Sequence, residues 1–343
     1  MRRSDHHIRV SFRYTLAISK KKGSSEMALN RTTDVHTTLS PPRRAGLLSW
    51  KKGIPLYIMI LPGFLFFAIF KYIPMLGVVL AFKDYDPFLG FWQSKWVGFE
   101  HFERLFGSAD FLQLMWNTLA LSAVNLFFFF PAPIFLAVLL NEIRLAWFRK
   151  GLQTIVYIPH FLSWVIVVSV TFILFSTQEG GVNKLLVEWG YPRFELLTMP
   201  SYFRPLYLFQ NIWKETGWNA VIFFAALASI DPTLYEASVV DGASRWRQLW
   251  HITLPALKPI IIILFILRVG YVMNTGFEHI LLMQNPLNLQ VADVFDTYVY
   301  REGILQGQFS FTTAVGLFKS VIGLALIILT NRLAKKMGEE GVY

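Results

Sequence analysis

The chain has no cysteine among its 343 residues. Disulfides, thiolate metal sites and cysteine nucleophiles are excluded together. Charge is also scarce: 16% of residues are Asp, Glu, Lys or Arg, where a soluble domain carries about a quarter. There is no G-x-x-x-x-G-K-[S/T] run to cradle a phosphate, so ATP hydrolysis is not expected of this chain. Neither H-E-x-x-H nor G-x-S-x-G occurs, and the seven His are scattered. His6-His7 reads as solvated and His160, after Pro159, as a hydrogen-bonded structural residue. An enzyme has no catalytic constellation here, and neither a metal nor a cofactor is expected on this chain. An apolar core near residue 1 is absent too, so a secretory signal is not expected; Met27 is an alternative start.

What is abundant is apolar surface. Hydrophobic residues make up 54% of the chain, with 11 Trp, 13 Tyr and 32 Phe and a mean hydropathy of +0.45. Six apolar segments are predicted, near 54–82, 111–140, 152–175, 205–228, 259–282 and 311–329. Each has about the 20 residues that a helix needs to cross a bilayer. The expected fold is an all-α membrane protein with six transmembrane helices over 54–343. Pro62, Pro74, Pro131 and Pro133 predict kinks or tilt in the first two. Residues 1–53, basic and Ser/Thr-rich with Pro41-Pro42, read as a disordered cytoplasmic tail.

The net charge of +10 could suit nucleic acid, but its distribution follows membrane topology, and no nucleic-acid partner is expected. With both termini inside, the inner segments hold 21 Lys and Arg and the outer loops 7, while the outer loops hold 11 of the 22 acidic residues. Positive residues favour the cytoplasmic side, so the chain is expected to be a multi-pass membrane protein with both termini in the cytoplasm.

One cytoplasmic stretch, Asp231 to Pro259, is polar and punctuated. Asp231 reads as an N-cap with Pro232 at the first helical position. Asp241-Gly242 is a turn signal. Ser244 reads as the cap of a second helix carrying Trp246, Leu249, Trp250 and Thr253, which Pro255 is predicted to end. A bent amphipathic element between two spans suggests a docking partner.

Ionisable residues inside spans are costly and suggest function. Lys71, Lys214, Glu215, Arg268, Glu278 and Lys319 fall in predicted spans. Pairing of Lys214 or Arg268 with Glu278 is the plain structural alternative. The functional one is a polar, aromatic-lined path, in which rings stack on a sugar's C–H faces and polar groups replace its water. Two cations in such a path also suit an acidic sugar.

The run Glu236-Ala237-Ser238, then Asp241-Gly242-Ala243, then Ile252, Leu254 and Pro255, resembles the E-A-A loop of ATP-binding-cassette importer permeases. The spacing is kept throughout, with Ser238 as the one departure, small for small. Leu61-Pro62-Gly63, Phe70 to Met75, Ala81 to Tyr85 and Gly180-Gly181-Val182-Asn183 resemble the saccharide-carrying subgroup over about 54–343. The resemblance implies a type I importer, maltose-permease-like fold. It also implies a second six-span permease, a heterodimer being favoured, two cytoplasmic ATPase subunits that bind the ATP and Mg, an extracytoplasmic solute-binding protein, a saccharide substrate and surrounding membrane lipid. Glu236, Ala237, Asp241, Gly242, Ala243, Ile252, Leu254 and Pro255 would form the ATPase-coupling element. Asn211, Lys214, Glu215, Trp218, Arg268, Tyr271, Asn274 and Glu278 would line the substrate path. The alternatives are the same importer architecture for a non-sugar solute, and a channel or intramembrane enzyme.

Overall fold

A computed structural model describes residues 50–338 and Gly341. The basic tail read over 1–53 lies outside the described residues, save for the last four, which already belong to helix α1 (Trp50–Phe67). The chain divides into two units, one ending at Pro62 and one beginning at Gly63. In the first, α1 begins. The second holds the remaining principal helices: α2 (Phe111–Val124), α3 (Pro131–Asn141), α4 (Ala146–Tyr157), α5 (Trp164–Phe175), α6 (Gly181–Glu188), α7 (Pro200–Ala228), α8 (Pro232–Val240), α9 (Arg245–Gln248), α10 (Leu254–Gly270), α11 (Phe277–Met283), α12 (Phe295–Val299) and α13 (Phe309–Lys336). A two-stranded antiparallel ladder, β1 (Lys83–Asp84) with β2 (Lys95–Trp96), is the one sheet among the described residues.

Among the described residues four helical stretches are long and apolar enough to cross a membrane: Ile54–Phe82, Phe111–Asn141, Arg245–Gly270 and Phe309–Lys336. Counting each of two bent pairs as one span gives six: α4 with its extension to Phe161 and α5, bent by 94°, and α7 with α8, bent by 68°. The third predicted segment is therefore not one straight helix. Pro159 sits in a short 3-10 turn (Ile158–Phe161), and Ser163 caps the new helix by accepting from the Ile166 N–H at 3.3 Å.

Prolines shape the other spans in a common way. Wide π-type turns at Ala68–Tyr72, Asn125–Phe129 and Leu249–Thr253 precede Pro74, Pro131 and Pro255. In each, the residue before the proline donates to a carbonyl five residues back. A proline ring crowds the carbonyl four residues back and has no N–H to offer it; the wide turn moves that carbonyl aside and the helix continues. Pro255 thus does not end the helix after Ser244, as the sequence suggested. α9 runs through the wide turn into α10.

The fifth predicted segment stops early. α10 ends at Gly270 and the chain unwinds over Tyr271–Gly276, where Gly276 takes a positive φ of 84° before α11 begins.

α7 is central. Its buried residues, Phe203, Leu206, Tyr207, Gln210, Asn211, Lys214, Gly217, Ala220, Phe223 and Leu227, recur at three- and four-residue spacing, one stripe of a helix. The stripe is apolar at both ends and polar in the middle. Its coupling-side end packs Ala220, Phe223 and Leu227 against Ala137 of α3 and Leu257 of α10. At Gly217 the Val156 backbone of α4 comes so close that any Cβ would collide with it.

The Gly180–Asn183 motif opens α6. Buried Asn183 donates to the carbonyls of Ser176 and Phe194, both at 3.0 Å, and accepts from the Phe194 N–H at 2.6 Å. It pins the loop after α5.

Candidate functional site

The polar middle of α7 faces a cavity of about 240 Å³. Four of the eight path residues proposed from the sequence line it: Asn211, Glu215, Arg268 and Asn274. Trp218 and Tyr271 line an adjoining, mostly apolar cavity of about 580 Å³, and Arg268 borders both. Lys214 is buried behind the wall. Its Nζ donates to Glu215 Oε1 at 2.7 Å and to the His160 carbonyl at 2.9 Å, 5.0 Å from the centre of the Trp164 ring. Glu278 is exposed and lines neither cavity.

The structural alternative, a pairing of Lys214 with Glu278, is replaced by a local one. Glu215 is held on two sides, by Lys214 and by His160 Nδ1 at 2.8 Å. The His160 ring in turn stacks flat on Trp218 at 4.6 Å. Arg268 differs. Among the described residues it forms no ion pair, and its guanidinium lies 5.2 Å from the Phe129 ring centre. One cation of the two is thus neutralised by its own neighbour, and the other has no carboxylate in ion-pair contact among the described residues.

The floor of the cavity is the unwound segment after α10. A broken helix leaves carbonyls without partners, and neighbouring side chains supply them. Ser122 donates to the Val272 carbonyl, and Tyr207 OH to the Thr275 carbonyl at 2.7 Å. The Thr275 N–H donates to Asp296 of α12 at 3.3 Å, and Asp296 also pairs with Lys319 of α13. Lys319, unexplained by sequence, is a buried support for this floor. A polar relay continues along the wall: Asn211 donates to Asn125 and Asn125 to Tyr207 OH, each at 2.8 Å.

His279 was not selected from the sequence, yet it lies buried between Trp164 and Tyr207, with ring centres at 3.7 and 4.8 Å. With the proton on Nε2 it donates to Gln210 Oε1 at 2.7 Å, and Gln210 donates to Thr171 at 2.8 Å. Glu278 was chosen on the expectation of an unbroken helix. The break at Tyr271–Gly276 resets the helical phase, so that residue 279 turns inward and 278 outward. Asn125, placed among phenylalanines in the second span, was a signal that sequence reasoning passed over.

The second candidate site is the bent element. Asp231 caps α8 by accepting from the Thr233 N–H at 2.9 Å. The Ala243 N–H closes the end of α8 on the Ser238 carbonyl at 2.9 Å, and Gly242 takes a positive φ of 74°. Ser244 then accepts from the Arg247 N–H at 3.4 Å. Two side-chain bonds tie the arms together: Tyr235 OH with Thr253 Oγ1 and Gln248 Nε2 with Ser238 Oγ, both at 2.9 Å. Ser238, the departure from the E-A-A pattern, is thus one of the bonds that fix the bend. Arg245 reaches Glu142, beyond α3, at 3.0 Å.

Outward, the element presents Leu234, Val239, Val240, Trp246 and Trp250, all exposed, Val240 at 88%. Glu236, Ala237, Asp241 and Gly242 are exposed as well, while Thr253 and the residues after it run into α10. This is an apolar knuckle with a carboxylate rim.

The Thr233 N–H and hydroxyl hold the Asp231 carboxyl below its usual range. A lowered folded-state pKa gives a cap that is fully present above the ordinary carboxylate range and is lost as pH falls through the lowered value. At neutral pH, Asp231→Ala should speed hydrogen exchange of the first-turn amides of α8 severalfold, because the cap that holds them is lost. Asp231→Asn should leave it near wild type; equal protection in the Ala variant would mean that the cap is idle.

The chain belongs to the family described as the binding-protein-dependent transport system inner membrane component, whose model matches residues 130–339. It is a multi-pass permease subunit of an ABC importer with the type I fold, and ATP hydrolysis resides in a separate subunit of such systems. It is 55% identical over 288 residues to the polygalacturonan/rhamnogalacturonan transport system permease protein YteP of Bacillus subtilis (strain 168), covering 84% of this chain and 90% of that one. It is 50% identical over 316 residues to Protein LplB of the same organism, covering 89% and 99%. Among solved structures it matches a chain of a bacterial alginate ABC transporter in complex with an alginate pentasaccharide-bound periplasmic protein. The TM-score is 0.78 at 41% identity, covering 86% of this chain and all of that one.

Proposed function

We propose that the chain conducts an acidic, uronate-type oligosaccharide inward through the polar cavity, driven through the α8 element by a separate ATPase. The observation that carries this is Arg268: a guanidinium without an ion pair among the described residues, at the border of a polar and an aromatic-lined cavity. Guanidinium matches a carboxylate in a two-point hydrogen-bonded geometry. Trp218 and Tyr271 offer ring faces to the sugar, and Asn211 and Asn274 offer amides to its hydroxyls. The names of two relatives, for polygalacturonan/rhamnogalacturonan and for alginate, describe acidic saccharides and support the same cargo here.

The working assembly pairs this chain with a second six-span permease, two ATPase subunits that bind ATP and Mg, and an extracytoplasmic solute-binding protein. Both termini face the cytoplasm. The exposed apolar residues of α8 seat in the ATPase surface, with Glu236 and Asp241 at the rim. Closure of the ATPase pair displaces the bent element, and α7 and α10, joined to its two ends, carry that displacement to the cavity as rigid bodies.

The test is ATP hydrolysis by the reconstituted complex with its binding protein, offered uronate and neutral oligosaccharides of equal length. Uronate chains should stimulate roughly tenfold more strongly at limiting concentration, the discrimination expected from about 1.4 kcal/mol. Equal stimulation by the neutral chains would overturn the acidic cargo.

A further inference from the structure

A third cavity, of about 450 Å³, opens on the coupling side of the molecule, away from the substrate path. One wall is the turn from α3 to α4, with Glu142, Arg144 and Arg149. The other is the bent element, with Val239, Ala243 and Arg245. Arg245 is engaged by Glu142. Arg144 and Arg149 form no ion pair among the described residues. Two free guanidinium groups therefore face one cleft that contains a single, already neutralised carboxylate.

The position of this cleft along the helices follows from their geometry. The α4 backbone at Val156 touches α7 at Gly217. From there α4 extends ten residues back to Ala146, and α7 eleven residues on to Ala228. At about 1.5 Å per residue both ends lie roughly 15 Å from the contact, on the side to which the Lys and Arg of 141–151 assign the cytoplasm. Leu145, Trp147 and Phe148 are exposed there, Trp147 at 73%, immediately before Arg149 and Lys150. Aromatic rings beside basic residues are the pattern of the membrane–water interface.

We propose that this cleft binds the headgroup of an anionic phospholipid from the leaflet on the coupling side. Arg144 and Arg149 receive the phosphodiester through guanidinium hydrogen bonds, and Leu145, Trp147 and Phe148 lie along the acyl chains. A zwitterionic lipid fits less well, because its ammonium would enter a cleft that already holds a surplus of positive charge. An acidic side chain of the ATPase would meet the arginines but would leave the three apolar residues uncovered. Because Val239 and Ala243 form the opposite wall, the bound headgroup braces the end of α8 against the start of α4. Lipid charge then sets how firmly the coupling element is held.

The test uses the complete transporter in nanodiscs of phosphatidylcholine alone, phosphatidylcholine with phosphatidylglycerol, and phosphatidylcholine with inorganic phosphate in the buffer. Native mass spectrometry counts retained phosphatidylglycerol for wild type and for the Arg144→Gln/Arg149→Gln double variant. The double variant should retain it roughly thirtyfold less tightly, as expected for two arginines near an anionic surface. In wild type, substrate-stimulated ATP hydrolysis should rise with phosphatidylglycerol and not with inorganic phosphate. Equal retention by wild type and variant overturns the site. So does loss of ATPase subunits from the variant with retention unchanged, which would assign the arginines to a protein contact.

Discussion

Replacing Gly242 with Val should cut substrate-stimulated ATP hydrolysis and uptake by more than roughly tenfold while the protein still inserts and pairs with its partners. The cause is conformational rather than steric crowding. Gly242 has a φ of +74°, and a Cβ built there meets nothing within 4 Å. An L-residue in the left-handed region costs about 1–2 kcal/mol, and a β-branched one more. That is too little to unfold six spans but enough to reopen the turn between α8 and Ser244. Among the described residues two side-chain bonds tie the arms of the bend, Tyr235 to Thr253 and Ser238 to Gln248, each worth about 1 kcal/mol. Gly242→Asn separates conformation from contact, since Asn tolerates this region. It should keep most of the activity if the turn alone matters and lose it if the ATPase approaches the backbone at this point. Unchanged uptake in the Val variant would remove Gly242 from the coupling element.

The bent element was largely legible in the sequence because its signals are local. Asp231, Pro232, Gly242 and Ser244 act within four residues of themselves, and all four do in the structure what capping chemistry predicts. Pro255 was misjudged because its effect depends on the turn before it. A wide π turn absorbs the proline, and nothing in Leu249 to Thr253 announces that turn. The spans were legible by length and hydropathy. The breaks at Leu162 and at Tyr271–Gly276 were not, because a run of apolar residues has the same composition whether straight or broken.

The cavity was half legible for the same reason. Asn211, Glu215 and Arg268 stood out as polar groups in apolar surroundings, and helical phase is preserved along α7 and α10. Beyond Gly270 phase is lost, so that Glu278 was selected where His279 faces inward. The partner of Lys214 was also out of reach. An adjacent residue on a helix normally points elsewhere, yet Glu215 bends back to Lys214 because His160 and the broken end of the α4 extension draw both side chains to one point.

That difference in partners makes the two cations separable by experiment. Arg268→Gln should leave the melting temperature of the reconstituted importer near wild type, because no carboxylate among the described residues loses its counterion. It should raise the concentration of uronate-loaded binding protein needed for half-maximal ATP hydrolysis about tenfold, the loss of the ~1.4 kcal/mol by which the arginine favours an acidic chain. Neutral oligosaccharides should be unaffected. Lys214→Gln should behave in the opposite way. It leaves Glu215 in a semi-buried wall with His160 as its remaining partner, and breaking a buried pair costs about 3 kcal/mol or more. Melting should fall by several degrees, and stimulation by acidic and neutral chains should decline together. His160→Gln added to Lys214→Gln should deepen the loss of stability without restoring discrimination. If Lys214→Gln instead abolished the uronate response alone with melting intact, Lys214 would be the group that meets the substrate. Its bonds to Glu215 and the His160 carbonyl would then have to open during transport.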